Sequence, residues 1–285
     1  MTIRDFFRAT VGRLSAAVGT EAEATARIIF EDVAGYDRNY IFADGDRELL
    51  DFTQAKIEHA VDKVTGGEPV QYAVGKARFM GMDFNVSPAV LIPRPETEGL
   101  VDLITDRWGA RRDLRVLDLC TGSGCIAIAL ARALPFANVE GVDISADALA
   151  VAKKNAADLH AQVSFRQADV LKMSAPEKAE YDIIVSNPPY VAESEKAQMD
   201  ARVLRYEPSL ALFVPDSSPL IFYDAIAGYA SAALRPGGML YFEINPLFSA
   251  GLSAMLKSKG FDDMTVLRDY RGAERYAMAV RSSGR

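Results

Sequence analysis

Arg115-Val116-Leu117-Asp118-Leu119-Cys120-Thr121-Gly122-Ser123-Gly124 decides the fold of this chain. Its first half is a short aliphatic run that reads as a buried strand. Its second half is a glycine-rich turn, and residues 125–134 behind it read as a helix. A strand, a glycine turn and a helix in that order open one unit of a parallel α/β sheet. Working downstream, residues 139–144 read as strand two, 146–159 as a helix, 163–166 as strand three and 181–185 as strand four. A helix over 220–234 ends at Pro236-Gly237-Gly238, and 239–244 is strand five. A helix over 247–259 and two strands, 263–267 and 275–280, joined by a polar turn, finish the chain. The expected fold class is α/β, a Rossmann-like doubly wound sheet whose last strand runs antiparallel.

The glycine turn is a candidate ligand site. Gly122 and Gly124 let the backbone approach a bound molecule, and the helix start offers free N–H groups. Asp143 closes strand two, where a carboxylate can accept both hydroxyls of a ribose. Asp169, with Val170 beside it after strand three, is placed to accept from an adenine amino group. Gly122-x-Gly124-x-x-Ala127 also fits the dinucleotide fingerprint, so NAD is a rival ligand. Two features favour S-adenosylmethionine. Asp118 repels a pyrophosphate but can pair with the ammonium of a methionine moiety, and the terminal strand pair does not resemble a second mononucleotide half.

The second chemical motif is Ser186-Asn187-Pro188-Pro189-Tyr190, directly after strand four. Proline fixes its own φ and keeps the preceding residue out of the α region. Asn187 is therefore held extended at the carboxyl end of a strand, the edge where open α/β sheets bind ligands. Its carboxamide oxygen and the Pro188 carbonyl form a pair of acceptors suited to a substrate –NH2 group. Tyr190 adds a flat face and a hydroxyl, and Pro189 and Tyr190 pack beside the substrate. The bland alternative is a rigid turn, and the upstream glycine motif outweighs it.

Upstream, residues 1–68 read as a bundle of helices. Ile3, Phe6, Phe7, Val11 and Leu14 recur at helical spacing behind a Thr2 cap with Asp5 three residues on. Residues 21–34 repeat the pattern, and Leu50, Ile57, Val61 and Val64 mark a longer helix stopped by Gly66-Gly67 and Pro69. His59 stands alone there, a packing or surface residue. Residues 69–92 read as a β-hairpin linker, and 93–285 as the catalytic domain. With 285 residues and 49% hydrophobic content, two domains with proper cores are affordable in size. The net charge of −7 speaks against nucleic acid as the main ligand. No apolar stretch follows Met1-Thr2-Ile3-Arg4-Asp5 and none reaches spanning length, so no signal peptide or membrane segment is expected. Cys120 and Cys125 are expected as two buried thiols, no metal site is expected, and the expected location is the cytoplasm.

Asn187-Pro188-Pro189-Tyr190 with this glycine turn resembles class I methyltransferases acting on a planar –NH2 nitrogen. Leu91-Ile92-Pro93-Arg94-Pro95-Glu96-Thr97-Glu98 and Arg205-Tyr206-Glu207-Pro208 narrow the likeness. With Gln71-Tyr72-x-x-Gly75, Phe79-x-Gly81-x-x-Phe84 and Asp269-Tyr270-Arg271-Gly272, they are similar to the bacterial release factor glutamine methyltransferases, the PrmC/HemK family. That resemblance spans residues from about 69 onward. It implies methyl transfer from S-adenosylmethionine to the glutamine side-chain nitrogen of the Gly-Gly-Gln loop of class I peptide chain release factors. It further implies that residues 1–68 dock that protein substrate, with no direct nucleic-acid contact. Asn187, Pro188, Pro189 and Tyr190 would form the catalytic set. Asp118, Cys120, Thr121, Gly122, Ser123, Gly124, Asp143, Asp169, Val170 and Asn187 would hold the cofactor. Two positions depart from the family pattern: Cys120 stands where glycine is usual, and Asn245 follows Glu243-Ile244 where the family continues with glycine. The alternatives are an amino-group methyltransferase of DNA or RNA bases and a cofactor-binding module without activity. If substrate positioning dominates, Asn187→Asp, which keeps shape and acceptors but adds a negative charge, is expected to retain measurable turnover while Asn187→Ala falls by roughly 10²-fold or more.

Overall fold

The structure, a computed structural model, describes residues 1–282; residues 283–285 of the expected catalytic domain lie outside the described residues. The chain divides into two compact units. One comprises Met1–Ala77, Val86–Pro88 and Asp200–Tyr206, and the other Arg78–Asn85, Ala89–Met199 and the chain from Glu207 onward.

The first unit is helical. Helix α1 (Ile3–Val18) starts where the Thr2 hydroxyl accepts from the Asp5 N–H at 3.1 Å. This is the cap its sequence predicts. Helices α2 (Ala22–Ala34) and α4 (Asp51–Thr65) pack on it around Ile3, Leu14, Ile29, Phe30 and Ile57, all fully buried. Phe7 meets Phe30 edge-on with ring centroids 5.1 Å apart. Between them lies a helix the sequence reading misses, α3 (Arg38–Asp44), capped by Asp37, which accepts from the Tyr40 N–H at 2.7 Å. Leu50 sits just outside α4 and is exposed. The hairpin expected from residue 69 is corrected at its start. Val70–Val74 forms a helical turn, α5, whose Val70, Ala73 and Val74 pack on the bundle core, and Gly75 ends it at φ 77°.

In the second unit the hairpin proper is β1 (Lys76–Phe79), which begins in the first unit, and β2 (Met82–Asn85). Met80 and Gly81 both have positive φ, 49° and 70°, the geometry of a tight two-residue turn that matches strand twist. It brings the fully buried Phe79 and Phe84 together, centroids 6.0 Å apart. Next come α6 (Pro95–Trp108), β3 (Arg115–Leu119), α7 (Cys125–Ala133), β4 (Asn138–Asp143), α8 (Ala146–Asp158), β5 (Val163–Gln167) and β6 (Tyr181–Ser186). A short strand β7 (Val191–Ala192) pairs with β8 (Phe213–Val214); α9 (Ala201–Tyr206), between them in sequence, belongs to the first unit. Helix α10 (Ile221–Ala233), β9 (Leu234–Glu243), α11 (Ser249–Ser258), β10 (Phe261–Arg268) and β11 (Glu274–Arg281) complete the fold.

The described residues build a seven-stranded sheet in the order β10-β11-β9-β6-β3-β4-β5. The five central crossover strands are parallel, and β11 inserts antiparallel between β9 and β10. Adjacent strand residues serve opposite layers. Val116, Ile183 and Val185 face the core shared with α6 and α7, whereas Leu117, Leu119 and Ile184 face α10 and α11. Each such fully buried side chain contributes roughly 1.5–3 kcal/mol, and burial on both faces is why Val116-Leu117 of β3 and Ile183-Ile184-Val185 of β6 are consecutive apolar residues. One boundary is corrected. The helix expected to run to Leu234 stops at Ala233, because Leu234 already pairs with Tyr181. Pairing resumes at Ile183 with Met239, so Pro236-Gly237-Gly238 forms a bulge inside β9 rather than a helix stop. Proline, with no N–H to give a ladder, is tolerated in such a bulge.

Candidate active site

A cavity of about 220 Å³ opens at the carboxyl ends of β3, β4 and β6, within the second unit. The glycine turn forms its floor. Cys120, Gly122 and Gly124 all have positive φ, 62°, 54° and 79°. A Cβ built on Gly122 meets nothing within 4 Å, so this residue leaves open space beside the cavity it lines. Gly124 has another task. A Cβ there comes within 3.1 Å of Ala152 and Ile128, and the residue is not on the cavity wall. It is needed for close packing of α7 against α8, not for approach to a ligand. The Thr121 N–H donates to the Val142 carbonyl at 3.0 Å and ties the turn to β4.

Asp143, on the wall at the end of β4, accepts from the Gly122 N–H at 2.8 Å and the Ser145 N–H at 2.9 Å. Burial pushes its carboxyl above the ordinary range while these bonds oppose the shift. Each oxygen keeps a lone pair for a ligand hydroxyl. Ile144 and Leu171, exposed to 43% and 42%, line the same cavity and offer apolar faces to a flat ring. Asp169 and Val170 lie on the wall too. The Asp169 carboxylate accepts from the Leu171 N–H at 3.0 Å, and its pairing with Lys172 holds it below its usual range.

Asp118 is fully buried, and Thr121 rather than Asp118 is on the wall. Its Oδ2 accepts from the Thr121 hydroxyl at 2.6 Å; the Ala127 backbone N–H also favours its charged form, but among the described residues no group is within hydrogen-bonding geometry of its Oδ1. Desolvation pushes its pKa up to about 7. A buried carboxyl with an unsatisfied oxygen suits a nearby cation. Together with the open floor at Gly122, the Asp143 acceptors and the Ile144 and Leu171 faces, it fits a nucleoside joined to a cationic tail, as S-adenosylmethionine is. Cys120 and Ser123 also line the cavity, with Cys125 beside them. Burial raises the Cys120 thiol far above its normal value and pushes Cys125 up to about 12, so both are neutral thiols.

Asn187 and Pro189 stand on the same wall, while Pro188 is buried and off it. The Ser186 hydroxyl donates to the Leu119 carbonyl at 2.6 Å and locks this motif to β3. The Asn187 amino group donates to Glu243 Oε2 at 3.0 Å and to Thr97 Oγ1 at 3.2 Å. Among the described residues nothing donates to its carboxamide oxygen. The Tyr190 hydroxyl turns inward and donates to Glu243 Oε1 at 3.0 Å, so it is engaged by protein rather than offered to the cavity. Asn245 braces the same turn, its Nδ2 donating to the Tyr190 carbonyl at 3.2 Å and to Glu195 at 2.9 Å.

The candidate set drawn from the sequence omits Glu243, Thr97, Arg94 and Glu207. Glu243 is 1% exposed at the end of β9, and a carboxylate inside Tyr241-Phe242-Glu243-Ile244 is the signal that could have found it. The Thr97 hydroxyl donates to its Oε2 at 2.6 Å. Glu207 accepts from the Ile92 N–H and from Arg94, and so links the Ile-Pro-Arg-Pro segment to the Glu207-Pro208 turn; Ile92, Arg94 and Pro208 all line the cavity. No helix among the described residues is long and apolar enough to cross a membrane.

Two family models match this chain, the PrmC N-terminal domain over residues 5–75 and the methyltransferase small domain over residues 97–206. A Bacteroides thetaiotaomicron protein named release factor glutamine methyltransferase is 46% identical over 261 residues, covering 92% of this chain and 93% of its own. A Koribacter versatilis protein of the same name is 38% identical over 277 residues, covering 96% and 97%. The T. thermophilus 16S rRNA N2 G1207 methyltransferase, solved with AdoMet and guanosine, is 23% identical with a TM-score of 0.52 over 72% of this chain and 49% of that one. It shares the fold.

Proposed function

This chain belongs to the release factor glutamine methyltransferase family, and we infer from that premise that it methylates the side-chain amide nitrogen of a glutamine in peptide chain release factors, the Gly-Gly-Gln glutamine of the class I factors. The observation that carries the assignment of residues is the orientation of Asn187. Its amino group is turned to Glu243 and Thr97, which leaves its oxygen as the acceptor for the substrate.

S-adenosylmethionine, when bound, supplies a methyl group activated by a sulfonium. The difficulty lies on the other side of the reaction, since an amide nitrogen has its lone pair delocalised into the carbonyl. Asn187 Oδ1, on the cavity wall, and the carbonyl of the next residue, Pro188, which is itself off that wall, are assigned to the two N–H bonds of the substrate amide and hold its nitrogen in one orientation. As positive charge develops on that nitrogen, both acceptors strengthen, an effect worth about 3 kcal/mol for one well-placed group. Pro189 flanks the amide plane, and the remaining rate gain comes from positioning. No general base has to act beforehand, because the nitrogen becomes acidic once methylated and its proton leaves afterwards. At the cofactor end Asp143 holds the ribose, Ile144 and Leu171 enclose the ring, Asp169 receives its amino group, and the Asp118–Thr121 pair serves the cationic tail. The helical unit docks the release factor, in keeping with the family's arrangement, and its exposed Phe42, Leu50 and Phe52 supply apolar contacts.

The test is incubation with labelled S-adenosylmethionine and either purified release factor or mixed DNA and RNA, followed by mass mapping. One methyl group on the Gly-Gly-Gln glutamine is expected. Label confined to nucleic acid overturns the reading.

A further inference from the structure

A single carboxylate behind the cavity wall receives side-chain hydrogen bonds from both polar side chains of the Asn-Pro-Pro-Tyr turn, Asn187 and Tyr190. Glu243 Oε2 accepts from the Thr97 hydroxyl at 2.6 Å and the Asn187 amino group at 3.0 Å, and Oε1 accepts from the Tyr190 hydroxyl at 3.0 Å. Its partners come from α6 and from the turn after β6. Its own backbone carbonyl is held by the Tyr223 hydroxyl at 3.0 Å, from α10 on the opposite layer. Two elements thus fix the buried side chain and a third holds its backbone, and the residue is not itself on the cavity wall.

An ionised carboxylate accepts only. A carboxamide has a donor end and an acceptor end of nearly the same size, so packing alone barely distinguishes its two orientations. With a carboxylate behind it, the distinction is chemical. Turning the Asn187 carboxamide by 180° would set Oδ1 against Glu243 Oε2, lone pair to lone pair, and would present an –NH2 to the cavity. A substrate amide nitrogen carries two donors and has nothing to accept with there. The flipped state is therefore unproductive as well as unfavourable. The carboxylate also polarises the carboxamide through its N–H, which makes Oδ1 a stronger acceptor.

Resting on the function argued above, we propose that Glu243 is a positioning residue that fixes the Asn187 carboxamide with its oxygen toward the substrate, and so acts on turnover through Asn187 alone. Thr97 completes the arrangement, giving its proton to Glu243 and accepting from Asn187. Desolvation raises the Glu243 carboxyl, while the Thr97 and Tyr190 bonds and the charge of Arg275 oppose that rise and favour the ionised form the arrangement uses.

The test compares Glu243→Ala, Glu243→Gln and Asn187→Ala, singly and combined, with saturating S-adenosylmethionine and release factor. Glu243→Ala should lower kcat by about 10–100-fold, by analogy with the loss when a partner that orients a metal-ligating side chain is removed. Cofactor affinity and the KM for release factor should stay within about twofold of wild type. Glu243→Gln should recover most of the loss, since its carbonyl can accept from Thr97 and Asn187 while its amino group donates to Tyr190. Added to Asn187→Ala, Glu243→Ala should cost nothing further in kcat. Wild-type kcat in Glu243→Ala, or a full additional loss in the double variant, overturns the proposal. Should Glu243→Ala fail to fold, Glu243→Met keeps the volume, removes every acceptor and takes the same readings. A second arm needs no substrate: the side-chain NH2 of Asn187, followed by NMR, should exchange slowly in wild type and Glu243→Gln and fast in Glu243→Met. Equal exchange in all three also overturns it. An inactive wild-type enzyme would instead count against the functional reading, and the exchange arm still decides the role of Glu243.

Discussion

Arg94 Nη2 donates to Glu207 Oε1 at 2.6 Å, joining two segments that lie 113 residues apart in sequence. The Glu207 side chain is 1% exposed and Arg94 33%, so the carboxylate is the buried partner and the guanidinium reaches it from the cavity. Glu207 Oε2 also accepts from the Ile92 N–H at 3.2 Å.

Glu207→Ala strands the Ile92 N–H, because among the described residues no other acceptor meets it, whereas Arg94 is exposed enough to be hydrated. An orphaned buried donor costs roughly 1–3 kcal/mol. In a unit of this size that corresponds to a fall in Tm of about 2–10 °C. Because Ile92 and Arg94 line the cavity, cofactor affinity should fall with it. Glu207→Gln, which keeps an acceptor for Ile92, should lose less of both. A Glu207→Ala variant with wild-type melting and wild-type cofactor binding by calorimetry would remove this link from the site.

The two segments joined here show what sequence could and could not reveal. The alternation of strands and helices was readable because β3 and β6 carry consecutive apolar residues buried on both faces and β4 buries Val139 and Val142 on opposite ones, and Asp118, Asp143 and Asn187 stand at or just past their ends in plain view. The Thr2 cap was equally legible. Sequence spacing does not carry pairings across long stretches of chain, such as Arg94 with Glu207 or Asn187 with Glu243, because these depend on how strands and loops come together in space. Local signals also misled where packing overrode them. Val70–Val74 is helical because Val70, Ala73 and Val74 have bundle core to bury against, and Pro236-Gly237-Gly238 looks like a helix stop but is a bulge in a paired strand. Gly124 reads as a ligand contact, yet its missing Cβ serves Ala152 and Ile128.

Cys120 sits at φ 62°, a conformation that costs an L residue roughly 1–2 kcal/mol and glycine nothing. Glycine in turn carries a chain-entropy cost of about 0.5–1 kcal/mol. Cys120→Gly should therefore be as stable as wild type or slightly more so, while Cys120→Val, β-branched at the same φ, should be clearly less stable. Urea unfolding of the three proteins measures this. A Cys120→Gly variant destabilised by more than Cys120→Val would show that thiol packing, and not backbone conformation, governs the position.

Asp118 makes stability depend on pH. Its pKa in the folded protein is about 7, above the value of 3.8 for a free carboxyl, because burial disfavours the charge. A raised pKa contributes stability that is fully present below the unfolded value and is lost as pH rises through the folded one. Wild type should thus lose stability relative to Asp118→Asn between about pH 4 and about pH 7, the interval between the unfolded and folded values. Thermal melts of both proteins across that range test it, and parallel curves would mean that Asp118 does not titrate there. Where a cationic tail lies near Asp118, binding favours the ionised form. Calorimetry of cofactor binding at neutral pH, in buffers of different ionisation enthalpy, should then register proton release that Asp118→Asn lacks.

Read from sequence alone, and where positioning dominates, Asn187→Asp looks the gentler change, since it keeps shape and acceptors and adds only a negative charge. The environment of Asn187 reverses that order. Its amino group points at Glu243 Oε2 from 3.0 Å, so the introduced carboxylate would face another carboxylate at the same distance in a buried place. Two such groups cannot both stay ionised without a large cost, and the new side chain either takes up a proton or turns away. Asn187→Asp should therefore lose at least as much turnover as Asn187→Ala, roughly 10²-fold or more, the scale for one lost transition-state group. Glu243→Gln supplies the missing donor. With its amino group toward position 187, it restores a complementary pair and leaves one carboxylate in the cluster, as in wild type. The double variant Asn187→Asp with Glu243→Gln should recover about tenfold over Asn187→Asp, with cofactor affinity unchanged throughout. Turnover measured with saturating cofactor and release factor decides the matter: a single Asn187→Asp variant at wild-type rate, or a double variant no faster than the single, would mean that the charge behind Asn187 does not govern its role.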